Sequence, residues 1–288
     1  MTNRPSRSPI ALALILAAYA LARILESTHN SLPSIAIVAL DVLAAMAFAL
    51  VDGARHFRLR GILVFAGLCI VVGNITENLS IASGFPFGHY YFASLMGPKL
   101  FQVPVLLGLA YIGMAYVSWM LGSTIVGRNP ASASGASIVA VPLVSSFIMV
   151  AWDLAQDPVW ATALHGWVWR DGGPWFGVPV SNYLGWYANV FIIYLFFALY
   201  LRHQPSTKSA EPCPTARPAI FFYALCAIGN VLQALYKSDP AVVQDPTGRA
   251  WRVADITAAS ALISIFVMGA FAVLAWIRLA GNQPATTD

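Results

Sequence analysis

GILVFAGLCIVVGNITENLSIAS, residues 61–83, carries a single charged residue, Glu77, in an otherwise apolar or small-polar run. A membrane-spanning helix needs about 20 predominantly apolar residues, so this run is long enough to cross a bilayer. A carboxyl group inside such a span is costly unless it is neutralised, paired or wetted, and by default it raises a question of function. The stretch therefore poses two problems: what surrounds the span, and what its acid is for.

Outward from it, comparable runs occur at roughly 9–25, 34–51, 100–122, 136–153, 183–201, 217–236 and 255–279. They predict an all-α fold, a polytopic integral membrane bundle of about eight transmembrane helices. Composition agrees: 59% of residues are hydrophobic, 10% are charged and the mean hydropathy is +0.70, whereas a soluble domain carries about 25% charge. The apolar runs recur from end to end, so residues 1–288 are expected to form a single transmembrane domain with no internal repeat. The amino-terminal order, basic then apolar, is that of a signal peptide. Arg23 and Glu26 follow where a small-residue cleavage site would lie, and an uncleaved first helix is expected.

The net charge of +4 and pI near 9.1 could suggest nucleic acid, but the basic residues fall between apolar runs and form no stripe. No nucleic-acid partner is expected. With the amino terminus inside, Arg4, Arg7, Arg55, Arg58, Arg60, Arg128, Arg202, Lys208, Arg217 and Arg278 collect in cytoplasmic segments, which is ten of the sixteen Lys and Arg residues. This predicts a multi-pass protein of the cell membrane with both termini cytoplasmic. Cys69, Cys213 and Cys226 show neither CxxC nor ligand spacing and read as inert thiols. Segments 202–216 and 237–250 read as plain linkers, the first of them mobile.

Of the acids, Arg23 and Glu26 are spaced for a local ion pair on one helix. Asp41 is suited to helix packing or to a site, and Asp255 is expected to pair with Arg252. Asn74, Glu77 and Ser80 form a polar stripe at three-residue steps; the choice between a structural network and a site stays open there. Asp153 and Asp157 lie one turn apart, so both can face the same way. Two loops accompany these acids and are expected to be structured: 84–99, with SGFPFGHYYF, and 154–182. The stretch from Trp152 to Tyr187 holds Trp152, Trp160, Trp167, Trp169, Trp175 and Trp186, six of the nine tryptophans. An interfacial aromatic belt explains some of them; acids, Asn182 and Gly-Pro turns among them suit a shaped pocket.

ENLSIASGFPFGHYYF, then Val103-Pro104, Asp153-x-x-x-Asp157-Pro158, GWVW and GVPVSNYLGW together resemble the CruF-type and bisanhydrobacterioruberin hydratase family of carotenoid biosynthesis proteins. The resemblance covers about 75–202, with Ser80 and Ala82 where the family more readily has Gly and Thr. It implies hydration of the terminal C=C of an acyclic carotenoid end group to a tertiary alcohol, with a lipid-soluble carotenoid as substrate, membrane lipid around it and other carotenoid biosynthesis enzymes as possible partners. Residue types fit that chemistry independently. A desolvated carboxylic acid can protonate an alkene, aromatic faces stabilise the resulting cation, and a second carboxylate with an amide or His can hold and deprotonate water.

The expected catalytic residues are Glu77, Asp153 and Asp157. The expected substrate-binding residues are Asn74, Phe87, His89, Tyr90, Tyr91, Trp167, Trp169, Asn182 and Trp186. The same apparatus without captured water would isomerise or cyclise the polyene, and without chemistry it would be a carotenoid or lipid binding protein; both alternatives stay open. His89 and His165 could join Glu77 and Asp153 around a metal, but there is no HExxH or paired-His spacing, and no metal is expected. GxGxxG, Walker and GxSxG motifs are absent from the sequence, and no cofactor is expected.

Overall fold

The computed structural model describes residues 7–28, 34–129, 131–204, 215–236 and 240–281. In order these give α1 (Arg7–Ser27), α2 (Ser34–Ser83), β1 (Tyr90–Phe92), β2 (Lys99–Leu100), β3 (Val103–Pro104), α3 (Val105–Val126) and α4 (Ser137–Pro158). They continue with β4 (Trp167–Trp169), α5 (Val180–Arg202), α6 (Arg217–Tyr236), β5 (Val242–Gln244), β6 (Ala250–Arg252), α7 (Val253–Ile263) and α8 (Gly269–Gly281). Among the described residues, seven helices are long and apolar enough to cross a membrane. The molecule is an all-α polytopic membrane bundle.

The longest of the seven, α2, is interrupted at Arg58, where φ is 59° and ψ 167°. Contacts show that the chain doubles back there. Ala45 packs on Gly113 of α3, and Gly73 faces Tyr111 of the same helix; a straight helix would hold residues 45 and 73 about 42 Å apart. The two arms, 34–57 and 59–83, therefore run side by side against α3, and the sequence count of eight passes is met by seven continuous helices. Exposed Arg58 and Arg60 mark the reversal. An arginine at this turn can reach headgroups and water, which a mid-span position would deny it.

Helix ends differ from their sequence reading where proline is involved. The fifth run was expected to stop at 153, but α4 continues to Pro158 and a π turn carries the helix through 159–163. Pro158 has no N–H, so the Leu154 carbonyl four residues back loses its helical donor. Trp175 Nε1 donates to that carbonyl at 3.2 Å. Asp153 and Asp157 are consequently helical, and the connecting loop shortens to 164–179.

Among the described residues, three two-stranded pairings of two- or three-residue strands gather at one end of the bundle, here termed the loop face. β1 pairs with β4, joining the two Gly-rich loops, with Tyr90 opposite Trp169 and Phe92 opposite Trp167. β2 pairs with β3. The segment 237–250, expected as a plain linker, instead holds most of a β5–β6 hairpin. Its turn is organised by Asp245, which accepts from Thr247 N, Thr247 Oγ1, Arg249 N and Trp251 Nε1. Burial works against an ionised Asp245, but these donors outweigh it and hold the carboxyl below its usual range.

Cys69 and Cys226 are buried free thiols. Cys213 and most of the linker 202–216 lie outside the described residues. The Arg252–Asp255 pair forms at 3.1 Å. One intramembrane acid escaped the sequence reading: Asp52, fully buried near the Arg58 turn, accepts from Tyr116 Oη at 2.7 Å and pairs with Arg55 at 2.9 Å.

Helix spacing leaves no room at Gly113, where a Cβ would lie 2.7 Å from Ala45 Cβ and 2.9 Å from its carbonyl carbon. Gly113→Val should destabilise the bundle by about 1–3 kcal/mol through overpacking. A lowered apparent Tm in detergent checks this, with Gly108→Ala, which meets nothing within 4 Å, as the comparison that stays near wild type.

Candidate active site

The inward stripe of the second arm of α2 runs through Ile62, Phe65, Cys69, Gly73, Glu77 and Ser80, all buried, at the three- and four-residue steps of a helix face. That period places Glu77, 2% exposed, in the bundle. It also puts Gly73, not Asn74, one turn below it. Both carboxyl oxygens of Glu77 are engaged by phenols: Tyr111 Oη donates to Oε1 at 2.7 Å, and Tyr90 Oη donates to Oε2.

Asp153 and Asp157 face Glu77 from α4. Asn182, at the start of α5, donates through Nδ2 to Asp157 Oδ2 at 2.5 Å and to Asp153 Oδ2 at 3.2 Å. Trp167 Nε1 donates to Asp157 Oδ1 at 2.7 Å. Three carboxyl groups are thus each tied to a donor from another element, as buried polar groups require.

All three border one cavity of about 1030 Å³, its open mouth included. Its aromatic wall is built of mutually packed rings. Phe87 stacks on Trp186 with centroids 5.3 Å apart, Tyr111 meets Trp186 edge-on at 4.5 Å, and Trp160 lies parallel to Trp167 at 6.3 Å. The loop after Glu77 is pinned around Phe87. Ser80 Oγ accepts from Phe87 N at 3.1 Å and donates to Gly88 O at 3.0 Å, while Ser181 Oγ donates to Phe87 O at 2.8 Å. Gly185 admits this loop: a Cβ there would lie 2.7 Å from Phe87 Cδ1.

Of the twelve residues singled out in the sequence, nine line the cavity: Glu77, Asp153, Asp157, Phe87, Tyr90, Trp167, Trp169, Asn182 and Trp186. Three do not, and the strand and helix periods say why. Side chains alternate across β1, so Tyr90 and Phe92 point inward while Tyr91 is 45% exposed and lies under Arg170. His89 is also outside, its Nδ1 3.1 Å from exposed Asp171. Asn74, about a hundred degrees from the inward stripe, is bonded to Asn78 and to the Leu100 carbonyl.

Sequence reading missed Tyr111, which sits in an unbroken apolar helix with nothing nearby to mark it, and Gln156, whose spacing from Asp153 and Asp157 was the available signal. It also read Arg23 and Glu26 as a local ion pair and left Asp41 open between helix packing and a site, and all three line the same cavity. Among the described residues, no three His, Cys, Asp or Glu side chains converge as a metal-ligand set.

The sequence profile of the family described as carotenoid biosynthesis protein matches residues 34–244. This chain belongs to that family. The matched stretch contains Glu77, Asp153, Asp157 and Asn182, and begins after α1. The chain is similar to the bisanhydrobacterioruberin hydratase of Haloarcula japonica, with 25% identity over 154 residues, covering 52% of this chain and 50% of the relative. The chain thus spans about half the length of that relative. No solved structure matches it.

Asn182 is the shared donor of the aspartate pair, so Asn182→Leu should leave two buried carboxyl oxygens short of a hydrogen bond. A loss of about 1–3 kcal/mol is expected, measured as thermal unfolding in detergent. Tyr91→Ala, on the outer side of β1, should leave the transition within about 0.5 kcal/mol of wild type. Equal loss in both variants would contradict this placement.

Proposed function

We propose that this carotenoid biosynthesis protein hydrates the terminal C=C of an acyclic carotenoid end group to a tertiary alcohol. The observation that carries the reading is the convergence of Glu77, Asp153 and Asp157 with a wall of tryptophan, tyrosine and phenylalanine on one cavity inside a membrane bundle. The resemblance to a protein named as a hydratase supports it.

Glu77 gives a proton to the less substituted alkene carbon; a C–H bond forms and the positive charge moves to the tertiary carbon. Negative charge develops on Glu77 as the proton leaves, and the Tyr90 and Tyr111 hydroxyls already point at its two oxygens. Donors preorganised toward developing charge stabilise the transition state without reorganising. The rings of Trp186, Phe87 and Trp167 offer their faces to the cation. Water held by Asp153 and Asp157, whose orientation Asn182 and Trp167 fix, closes on the tertiary carbon. Its second proton passes to the aspartate pair, so one water adds and no electrons are exchanged.

The end group of the polyene enters the cavity through its open mouth, and the remaining chain stays with lipid. The Lys and Arg distribution favours a cell-membrane location with both termini cytoplasmic, which sets the loop face and the site on the opposite side. Other carotenoid biosynthesis enzymes would supply the unsaturated end and take the alcohol.

Expression in a lycopene-producing host, with mass analysis of the pigments, tests the reading. The wild type should add the mass of one water per reacted end. Glu77→Gln and Asp153→Asn should each lower hydrated product by about 10²- to 10⁴-fold at matched protein levels. A product of unchanged mass but altered retention would instead indicate isomerisation or cyclisation, and unaltered pigment would indicate binding alone.

A further inference from the structure

Arg23 sits inside α1 and is 5% exposed. Nη1 donates to Glu26 and Nη2 to Asn230 Oδ1 at 2.5 Å. The same Asn230 oxygen accepts from Gln156 Nε2 at 3.1 Å, and Gln233 Nε2 donates to Glu26 at 3.1 Å. Side chains from α1, α4 and α6 thereby form one continuous polar seam through an apolar bundle. Its outer end, Glu26 and Gln233, lies at the loop-face ends of α1 and α6. Its inner end, Gln156, is adjacent in sequence to Asp157 and one turn from Asp153.

Packing alone gives no reason for such a seam, because a buried ion pair is commonly no more stabilising than apolar residues of the same volume. Two of its atoms are moreover left over. Asp41 Oδ1 and Arg23 Nε are buried with no hydrogen-bond partner among the described residues, and Asp41 Oδ1 stands 3.8 Å from Arg23 Nη1, too far for a direct hydrogen bond. A group that accepts from a guanidinium and donates to a carboxylate satisfies that arrangement. Water is the smallest molecule that does both. Arg23, Glu26, Asp41 and Gln156 all border the cavity that holds Glu77, Asp153 and Asp157, while the wall around Glu77 is largely aromatic.

We infer that the Arg23–Asp41–Gln156 seam is the route by which water reaches the Asp153–Asp157 pair, a supply and positioning device separate from the proton donor. The inference rests on the hydration reading. Every turnover consumes one water at a place bordered largely by aromatic rings, and the seam provides polar partners leading to it. It makes a distinctive demand on the cation. When water arrives, its oxygen closes on the tertiary carbon. When water does not arrive, the cation returns a proton to a carboxylate and an alkene is regenerated.

The experiment supplies lycopene to membranes containing the full-length protein in D₂O and measures two quantities: hydrated product, and deuterium at the vinylic carbon of recovered alkene. The wild type should hydrate with little label in recovered alkene. Gln156→Leu and Asp41→Asn should lower hydration by about tenfold or more, the scale of one lost hydrogen bond to the water, while label in recovered alkene persists, so the ratio of exchange to hydration rises. Glu77→Gln should lose both. Arg23→Met tests the centre of the seam, and the two milder variants keep the inference testable if that protein does not fold. Variants that hydrate as wild type, or that lose hydration and exchange in equal proportion, overturn the seam alone. Wild-type protein that neither hydrates nor exchanges overturns the hydration reading, and the seam with it.

Discussion

The pairing of buried carboxyl groups inside a bilayer is the constraint on which this architecture rests. Hydrocarbon offers no donor, and an unpaired buried polar group costs several kcal/mol. Glu77, Asp153 and Asp157 each therefore fix a partner, and each partner fixes an element. Glu77 holds α2 to α3 through Tyr111 and to β1 through Tyr90. Asp153 and Asp157 hold α4 to α5 through Asn182 and to β4 through Trp167. Because β1 and β4 pair with one another, the two halves of the carboxylate system share one lid.

The aromatic residues both pack the bundle and line the cavity. Tyr90, Tyr111, Trp167 and Trp169 bury large apolar faces while keeping one polar handle available, which is why they can stand beside acids without opening the site to bulk water. Purely aliphatic walls would leave the acids unsatisfied, because hydrocarbon offers them no donor. One helix irregularity falls at the same level: the π turn at 159–163 follows Pro158 and includes Trp160, which lines the cavity.

Much of this was legible in the sequence because hydropathy states directly which segments lie in lipid. The number of passes could be read from the apolar runs, and so could most of the acids, since a carboxylate in an apolar run is conspicuous; Asp52, close to the basic turn, was not singled out. What stayed hidden depended on direction. The run GHYYF does not say which tyrosine faces inward until β4 sets the strand's register, so Tyr90 and Tyr91 look equivalent. Asn74 and Gly73 differ by one residue, and only the observed helical phase chooses between them. Tyr111 carries no local signal at all, because its role is defined by a residue on another helix. Arg23 and Asp41 looked unconnected, being eighteen residues apart in the sequence; the cavity they share exists only in the assembled bundle.

The order of partners along the chain bears on how the protein is made. The donors to Glu77, Tyr90 and Tyr111, lie 13 and 34 residues downstream, on the segment that the ribosome delivers next. The second arm of α2 and α3 can therefore enter the membrane as a pair whose acid is already bonded, before α4 has been synthesised. The aspartates follow the same rule, with Trp167 and Asn182 placed 10 and 25 residues after Asp157. During biogenesis, neither half of the carboxylate system has to wait for the other to make lipid tolerable.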